Sequence, residues 1–304
     1  MTTDAPRRDA DAKAVILMLL LTLMWGFNQI AIKLAAPGVS LVMQACLRSA
    51  IAAVMVFLWA RLVREPLFDR DGTLWPGLAA GLLFAAEFAF IHAGLAHTTA
   101  SRMIVFVYLA PCLTAFGLAM LVPGERLTRL QWSGVLIAFT GILVAFGERA
   151  ATDTLLGDFL GVLGALMWAL TTILIRATRL SSTRPSKTLF YQVGLAGAIL
   201  PLVSWVMGEP GIVRLDGVTV ASIAYQGVLV AFGSYLAWFW LLTRYRAAQL
   251  AVFSFLAPLF GVAFGVLLLG DPISPAFAAA AVLVGAGIAL VNLPARTRAR
   301  ATEA

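Results

Sequence analysis

The sequence predicts an all-α integral membrane protein of ten transmembrane helices, arranged as two inverted five-helix repeats around a central cavity. Three observations carry that prediction. The 304-residue chain is 61% hydrophobic and only 12% charged, about half the charged fraction of an ordinary soluble domain. Its apolar residues fall into runs of about twenty, the length that crosses a hydrocarbon core of about 30 Å. Its two halves also match one another in order, with an odd number of helices in each.

The chain reads as a polar N-terminal tail (1–13), a first repeat (14–147), a connecting loop (148–155), a second repeat (156–292) and a C-terminal tail (293–304). Ten segments follow, at about 14–34, 40–60, 74–95, 100–122, 131–147, 156–176, 187–207, 218–241, 248–269 and 275–292. Inside a bilayer every backbone polar group needs an internal partner, so each segment must be helical. The first apolar run is too long for a signal-peptide core and no small-x-small cleavage site follows it, so it reads as a retained span. Short loops with breakers separate the segments, among them Ala36-Pro37-Gly38, Pro123-Gly124-Glu125 and Gly208-Glu209-Pro210-Gly211.

Orientation follows from the cations. With the N-terminus in the cytoplasm, that side collects Arg7, Arg8, Lys13, Arg61, Arg64, Arg70, Arg126, Arg129, Arg176, Arg179, Arg184, Lys187, Arg244, Arg246, Arg296, Arg298 and Arg300. Only Lys33, Arg102, Arg149 and Arg214 fall on the other side, and Arg48 lies within a span. That asymmetry puts both termini in the cytoplasm; the expected location is a bacterial inner membrane. The net charge of +7 is spread over loops and tails instead of forming one basic face, which argues against a nucleic-acid partner. Cys46 and Cys112 sit in apolar runs with no CxxC or Cys/His spacing, so neither a disulfide framework nor a metal is expected.

The halves align at an offset of 143, where Leu23-Met24-Trp25 meets Leu166-Met167-Trp168 and Lys33 meets Arg176. They align again at 147, where Leu109-Ala110-Pro111 meets Leu256-Ala257-Pro258, and at 146, where Gly124-Glu125 meets Gly270-Asp271 and Gly141-Ile142 meets Gly287-Ile288. A Trp, a Pro, a helix-end cation and a Gly-acid pair recurring in order is hard to obtain by chance. Five helices per repeat start the second copy on the opposite side of the membrane, which makes the repeat inverted. Such a chain can exchange the conformations of its halves, opening a midplane site first to one side and then to the other.

Several of these residues also carry a family likeness. Trp25-Gly26, Arg48, Leu109-Ala110-Pro111 and Gly124-Glu125-Arg126-Leu127-Thr128 resemble the first copy of an EamA domain. Met167-Trp168, Tyr191-Gln192, Leu256-Ala257-Pro258 and Gly270-Asp271-Pro272-Ile273-Ser274 resemble the second, with Asp271-Pro272 where Glu-Arg or Glu-Pro is more usual. The resemblance is to the drug/metabolite transporter superfamily and spans nearly the whole chain. It implies a carrier that exports small metabolites, often amino acids. It also implies that the fifth and tenth helices are peripheral while the others surround a central cavity.

Intramembrane polar residues are costly unless paired or facing water, so each is a functional candidate. Trp25, Asn28 and Gln29 share a face of the first helix with Thr22 and Lys33. Trp168, Thr171, Thr172 and Arg176 repeat that face in the sixth. Two related polar faces suggest opposite walls of one cavity, helix–helix packing being the alternative; Lys33 and Arg176 read as helix-end anchors. The third helix offers Phe84, Glu87, Phe88 and the more peripheral His92. Glu87 has three readings: it binds a substrate ammonium, carries a proton, or pairs with Arg48, itself read as structural. Tyr235 and Trp238 in the eighth helix, with Phe106, Tyr108 and Phe253 in the fourth and ninth, complete the candidate substrate-binding set. Trp240 fits an interfacial belt. Pro111 and Pro258 predict kinks and form a symmetric pair of candidate hinges.

The chain lacks a phosphate-binding Gly-Lys-Ser/Thr loop, an HExxH motif and a converging Ser/His/Asp set, so neither an enzyme nor a bound cofactor is expected. The expected function is a secondary transporter exporting aromatic or neutral amino acids, or related small metabolites, by alternating access. The expected partners are a small-molecule substrate and the lipid bilayer, with a homodimer left open. A multidrug or cation exporter of the same superfamily is the alternative within transport. A membrane receptor or assembly protein is the alternative outside it.

Overall fold

The structure, a computed structural model, describes residues 11–121, 127–147, 154–245, 250 and 253–292. The terminal tails up to residue 10 and from 293, most of the 148–155 loop, the Gly124-Glu125-Arg126 part of the repeat match, and Gln249 and Val252 lie outside the described residues. The described chain is largely helical, and Val39 and Ile212 form an isolated β-bridge. The first three spans are α1 (Ala12–Ala35), α2 (Leu41–Leu62) and α3 (Leu74–Gly94). The fourth is broken into α4 (Ala100–Val107) and α5 (Ala110–Leu121), and α6 (Arg129–Gly147) closes the first repeat.

The second repeat opens with α7 (Leu155–Ala177) and α8 (Pro185–Val206). Its third span runs from α9 (Gly217–Ala224) through a π-helical stretch, Tyr225–Ser234, into α10 (Tyr235–Arg244). Its fourth begins with a 3₁₀ turn at Phe253–Phe255, continues as α11 (Leu256–Phe264) and ends in a π turn, Gly265–Leu269. The last is α12 (Pro275–Val291). Among the described residues, eight helices are long and apolar enough to cross a membrane; two shorter apolar helices, Leu256–Leu269 and Pro275–Val291, take the ninth and tenth places.

Helix starts are set by side chains that accept from otherwise orphaned backbone N–H groups. Asp11 accepts from Ala14 N at 2.9 Å, Asp216 from Thr219 N at 2.8 Å and Ser274 from Phe277 N at 3.0 Å. The Ala14 N–H and the Tyr245 hydroxyl hold the Asp11 carboxyl below the usual carboxylate range.

The inversion is visible in how equivalent helices meet. The residues just past the C-terminus of α8 lie at the N-terminus of α2: Glu209 accepts from Val42 N (3.0 Å), Met43 N (3.1 Å) and the Ser40 hydroxyl (3.0 Å). At the opposite end, Glu65, just past the C-terminus of α2, accepts from the Ser186 hydroxyl in the first turn of α8. The two turns match atom for atom. Glu65 N donates to Ala60 O and Glu209 N to Ser204 O. The residues before them, Arg64 and Gly208, both take positive φ, at 58° and 70°. Each second helix of a repeat therefore caps the other, and the two run antiparallel.

The same relation holds in the packing. Between α6 and α12, an added Cβ at Gly134 would meet Gly287 O at 2.8 Å, and one at Gly141 would meet Ala280 O at 2.9 Å. The offset of 146 exchanges these two contacts, turning Gly134 into Ala280 and Gly141 into Gly287. Likewise Gly81 packs on Leu195 of α8, and its counterpart Gly227 packs on Ile51 of α2. Small residues let backbones approach closely where lipid offers no hydrophobic drive to associate. Among the described residues, α6 and α12 pack mainly on each other and otherwise chiefly on the fourth and ninth spans, which leaves them at the periphery.

Candidate functional site

The centre of the bundle is built on α2 and α3. Arg48 of α2 is 1% exposed, and its guanidinium lies 4.1 Å over the Phe88 ring. Phe88 stacks at 4.7 Å on Phe84 and at 5.9 Å on His92. Glu87 is buried beside them, within electrostatic reach of Arg48. Tyr235 of α10 faces both charges, with its hydroxyl directed at Arg48. Tyr108, in the break of the fourth span, lies within reach of Tyr235 and carries the Trp168 ring edge-on at 5.6 Å. Arg48, Phe84, Glu87, Phe88, Tyr108, Trp168 and Tyr235 thus form one continuous cluster.

Trp25 belongs to an adjoining group. Its indole N–H donates to Ser234 Oγ at 2.9 Å, and its ring meets Trp238 edge-on at 6.0 Å. Phe253 packs beside them. Asn28 and Gln29 are buried on the same helix, each with an amide oxygen that has no hydrogen-bond partner. Further buried atoms without partners are Arg48 Nε and Nη1, Ser49 Oγ, His92 Nε2 and Gln226 Oε1. Orphaned buried polar atoms are uncommon in folded proteins, and these come from the first, second, third and eighth spans.

Other candidates lie elsewhere or spend their polar groups locally. Phe106 is fully buried against Phe146 of α6 at 4.7 Å, away from the charged cluster. Thr172 donates to Trp168 O at 3.1 Å, and Thr22 and Thr171 likewise bond one turn back along their own helices. Lys33 fits the anchor reading: its ammonium donates to Leu95 O and, at 2.8 Å, to Thr98 O, tying the end of α1 to the turn after α3. His92 is wholly buried, with Nδ1 2.9 Å from Phe88 O. Pro111 and Pro258, where kinks are expected, lie in the first turns of α5 and α11; α4 stops at Val107, two residues before α5, and a 3₁₀ turn precedes α11. Among the described residues, no group of three or more His, Cys, Asp or Glu is placed to hold a metal.

Both repeats match the EamA-like transporter family, over residues 12–147 and 155–293. The chain belongs to that family. It is a multi-pass membrane transporter. An uncharacterized protein of Pseudomonas aeruginosa is 28% identical over 291 residues, covering 95% of this chain and 98% of the relative. Two relatives bear the name "probable amino-acid metabolite efflux pump". The one from Escherichia coli is 26% identical and the one from Salmonella typhimurium 25%, each covering 90% of this chain and 92% of its own. One solved crystal structure, 17% identical, superposes with a TM-score of 0.64 over 93% of this chain and 98% of that one, which bears on the fold alone.

Sequence reasoning passed over three features of this EamA transporter's interior. Gln44 and Gln226 join α2 to the eighth span through a 3.0 Å hydrogen bond, and Gln44 also donates to Ile32 O and Val39 O. Both are intramembrane polar residues, so the rule that flagged Asn28 and Gln29 also applies to them. Asp158 reads in sequence as a residue near a helix end, yet it is buried in an ion pair with Arg102 at 2.6 Å. The π-helical stretch of the eighth span has only Gly227 and Gly233 as local hints.

Proposed function

We propose that this transporter exports aromatic or other neutral amino acids, and related small metabolites, across a bacterial inner membrane as a secondary carrier working by alternating access. The observation that carries the reading is the pair of aromatic bridges between repeats. Trp25 of the first repeat meets Trp238 of the second, and its counterpart Trp168 meets Tyr108 of the first. Edge-to-face aromatic pairs stabilise by about 0.5–1.5 kcal/mol beyond area burial, and a planar substrate side chain can take the place of one ring against another. Motion of one repeat against the other would remake both bridges, coupling an aromatic substrate to the change of access.

The names of the Escherichia coli and Salmonella typhimurium relatives support amino-acid efflux. The cation asymmetry supports cytoplasmic termini. A cation or multidrug exporter is the second reading, favoured by one observation, the buried carboxylate of Glu87. The experiment is transport by the purified protein in sealed proteoliposomes against an amino-acid panel and a cationic dye. Saturable counterflow of phenylalanine or tryptophan, without dye movement, is the expected result. Dye flux without amino-acid flux would replace this reading with the second, and no flux of either would remove both.

A further inference from the structure

We propose that Arg48 and Glu87 form a two-pole clamp for a zwitterion, the guanidinium receiving the substrate's α-carboxylate and the Glu87 carboxylate its α-ammonium. The inference rests on the amino-acid reading above and assigns the two charges of its site. Both side chains are buried, at 1% and 6% exposure. They are neighbours, yet they are not among the ion pairs closed within 4.0 Å in the described residues. Arg48 lies against the Phe88 ring, with Nε and Nη1 lacking any hydrogen-bond partner. Opposite charges so close in a low-dielectric interior gain most by closing on each other or on a ligand. Kept apart, they offer complementary poles to a molecule carrying both signs.

The inverted repeat supplies an independent argument. The counterpart of Arg48 is Gln192, and the offset of 146 that takes Gly81 to Gly227 takes Glu87 to Gly233. The related helices pack through the same contacts in the second repeat without either charge. The architecture therefore does not require the pair.

The test compares three probes on the wild-type protein in proteoliposomes: L-phenylalanine, 2-phenylethylamine, which lacks the carboxylate, and 3-phenylpropanoate, which lacks the ammonium. A site that must pair both poles rejects analogues that leave one unmatched. Each single-charge analogue should therefore compete at least about ten-fold more weakly than unlabelled phenylalanine. Arg48→Gln should raise the half-saturation for phenylalanine by about ten-fold or more and narrow the gap to 2-phenylethylamine. Glu87→Gln should do the same for 3-phenylpropanoate. Equal competition by the analogues on wild-type protein overturns the clamp without reliance on any variant. So does phenylalanine transport within two-fold of wild type in both variants, and that result leaves the export reading standing. A wild-type protein that moves no amino acid overturns the export reading and the clamp with it.

Discussion

Arg102 and Asp158 join α4 to the start of α7. Arg102 Nη2 donates to Asp158 Oδ2 at 2.6 Å and to Ala145 O at 2.9 Å, and Arg102 Nε approaches both carboxylate oxygens at 3.1–3.2 Å. The Thr98 hydroxyl, at 2.7 Å, and the Thr154 hydroxyl, at 3.3 Å, complete the carboxylate's shell. Removing one partner of so enclosed a pair strands the other charge, at a cost of about 3–5 kcal/mol. Arg102→Gln and Asp158→Asn should each lower the thermal midpoint in detergent markedly, whereas replacing both by leucine should recover much of the loss. Unfolding followed by tryptophan fluorescence checks this, and single variants with unchanged midpoints would contradict it. The pair is also asymmetric, since the repeat positions corresponding to Arg102 and Asp158 are Gln249 and Val15. Residue scale is thus where the two copies part company, here and at Arg48 and Glu87.

At the scale of elements, the reciprocal caps of α2 and α8 matter most. Glu209 accepts two backbone N–H groups of α2 and the hydroxyls of Ser40 and Ser204, the latter at 2.6 Å. A carboxylate at a helix N-terminus satisfies orphan donors and the positive end of the helix dipole. Glu209→Ala should therefore cost about 1–2 kcal/mol. Its partner turn carries the opposite lesson. Arg64 holds the left-handed conformation that Gly208 adopts without steric cost, a penalty of about 1–2 kcal/mol for a residue with a Cβ. Accordingly Gly208→Ala should lower the detergent melting midpoint while Arg64→Gly should not; a loss from both would show that turn geometry is not the cause. The sequence carried the length of these helices and their breakers. It did not carry the caps, because Glu65 meets Ser186 and Glu209 meets Ser40 across more than a hundred residues of chain.

At the scale of the molecule, α2 and α8 are bound to each other at both ends. They also touch midway, where an added Cβ on Gly197 would lie 3.6 Å from Ala50 Cβ. An element that opened alternately to either side would be held at one end and released at the other. The symmetric closure argues that this pair stays fixed while the remaining spans move. The Cβ spacing there is near the roughly 3.8 Å of a disulfide, with a small shift needed to relieve the approach of the added Cβ to Ala50 N at 3.2 Å. Ala50→Cys with Gly197→Cys, in a background with Cys46 and Cys112 replaced by serine, should cross-link on oxidation and still transport. Loss of flux that returns on reduction would place the moving boundary between α2 and α8 instead.

Run length, charge asymmetry and the internal match determined that the chain spans a membrane as two inverted copies, because the bilayer imposes helices of about twenty residues and an odd number of them reverses direction. Those same signals nominated Trp25, Trp168, Glu87 and the two prolines, since a polar or kinking residue inside an apolar run stands out locally. Only the tertiary structure decided how these residues group. It set Phe106 among core aromatics and Arg48 beside Glu87 without an ion pair. It turned Asp158 inward to Arg102 and wound the eighth span as a π-helix through Gln226. Each of these depends on which helix faces which, and contacts between helices far apart in sequence leave no periodicity along the chain to read.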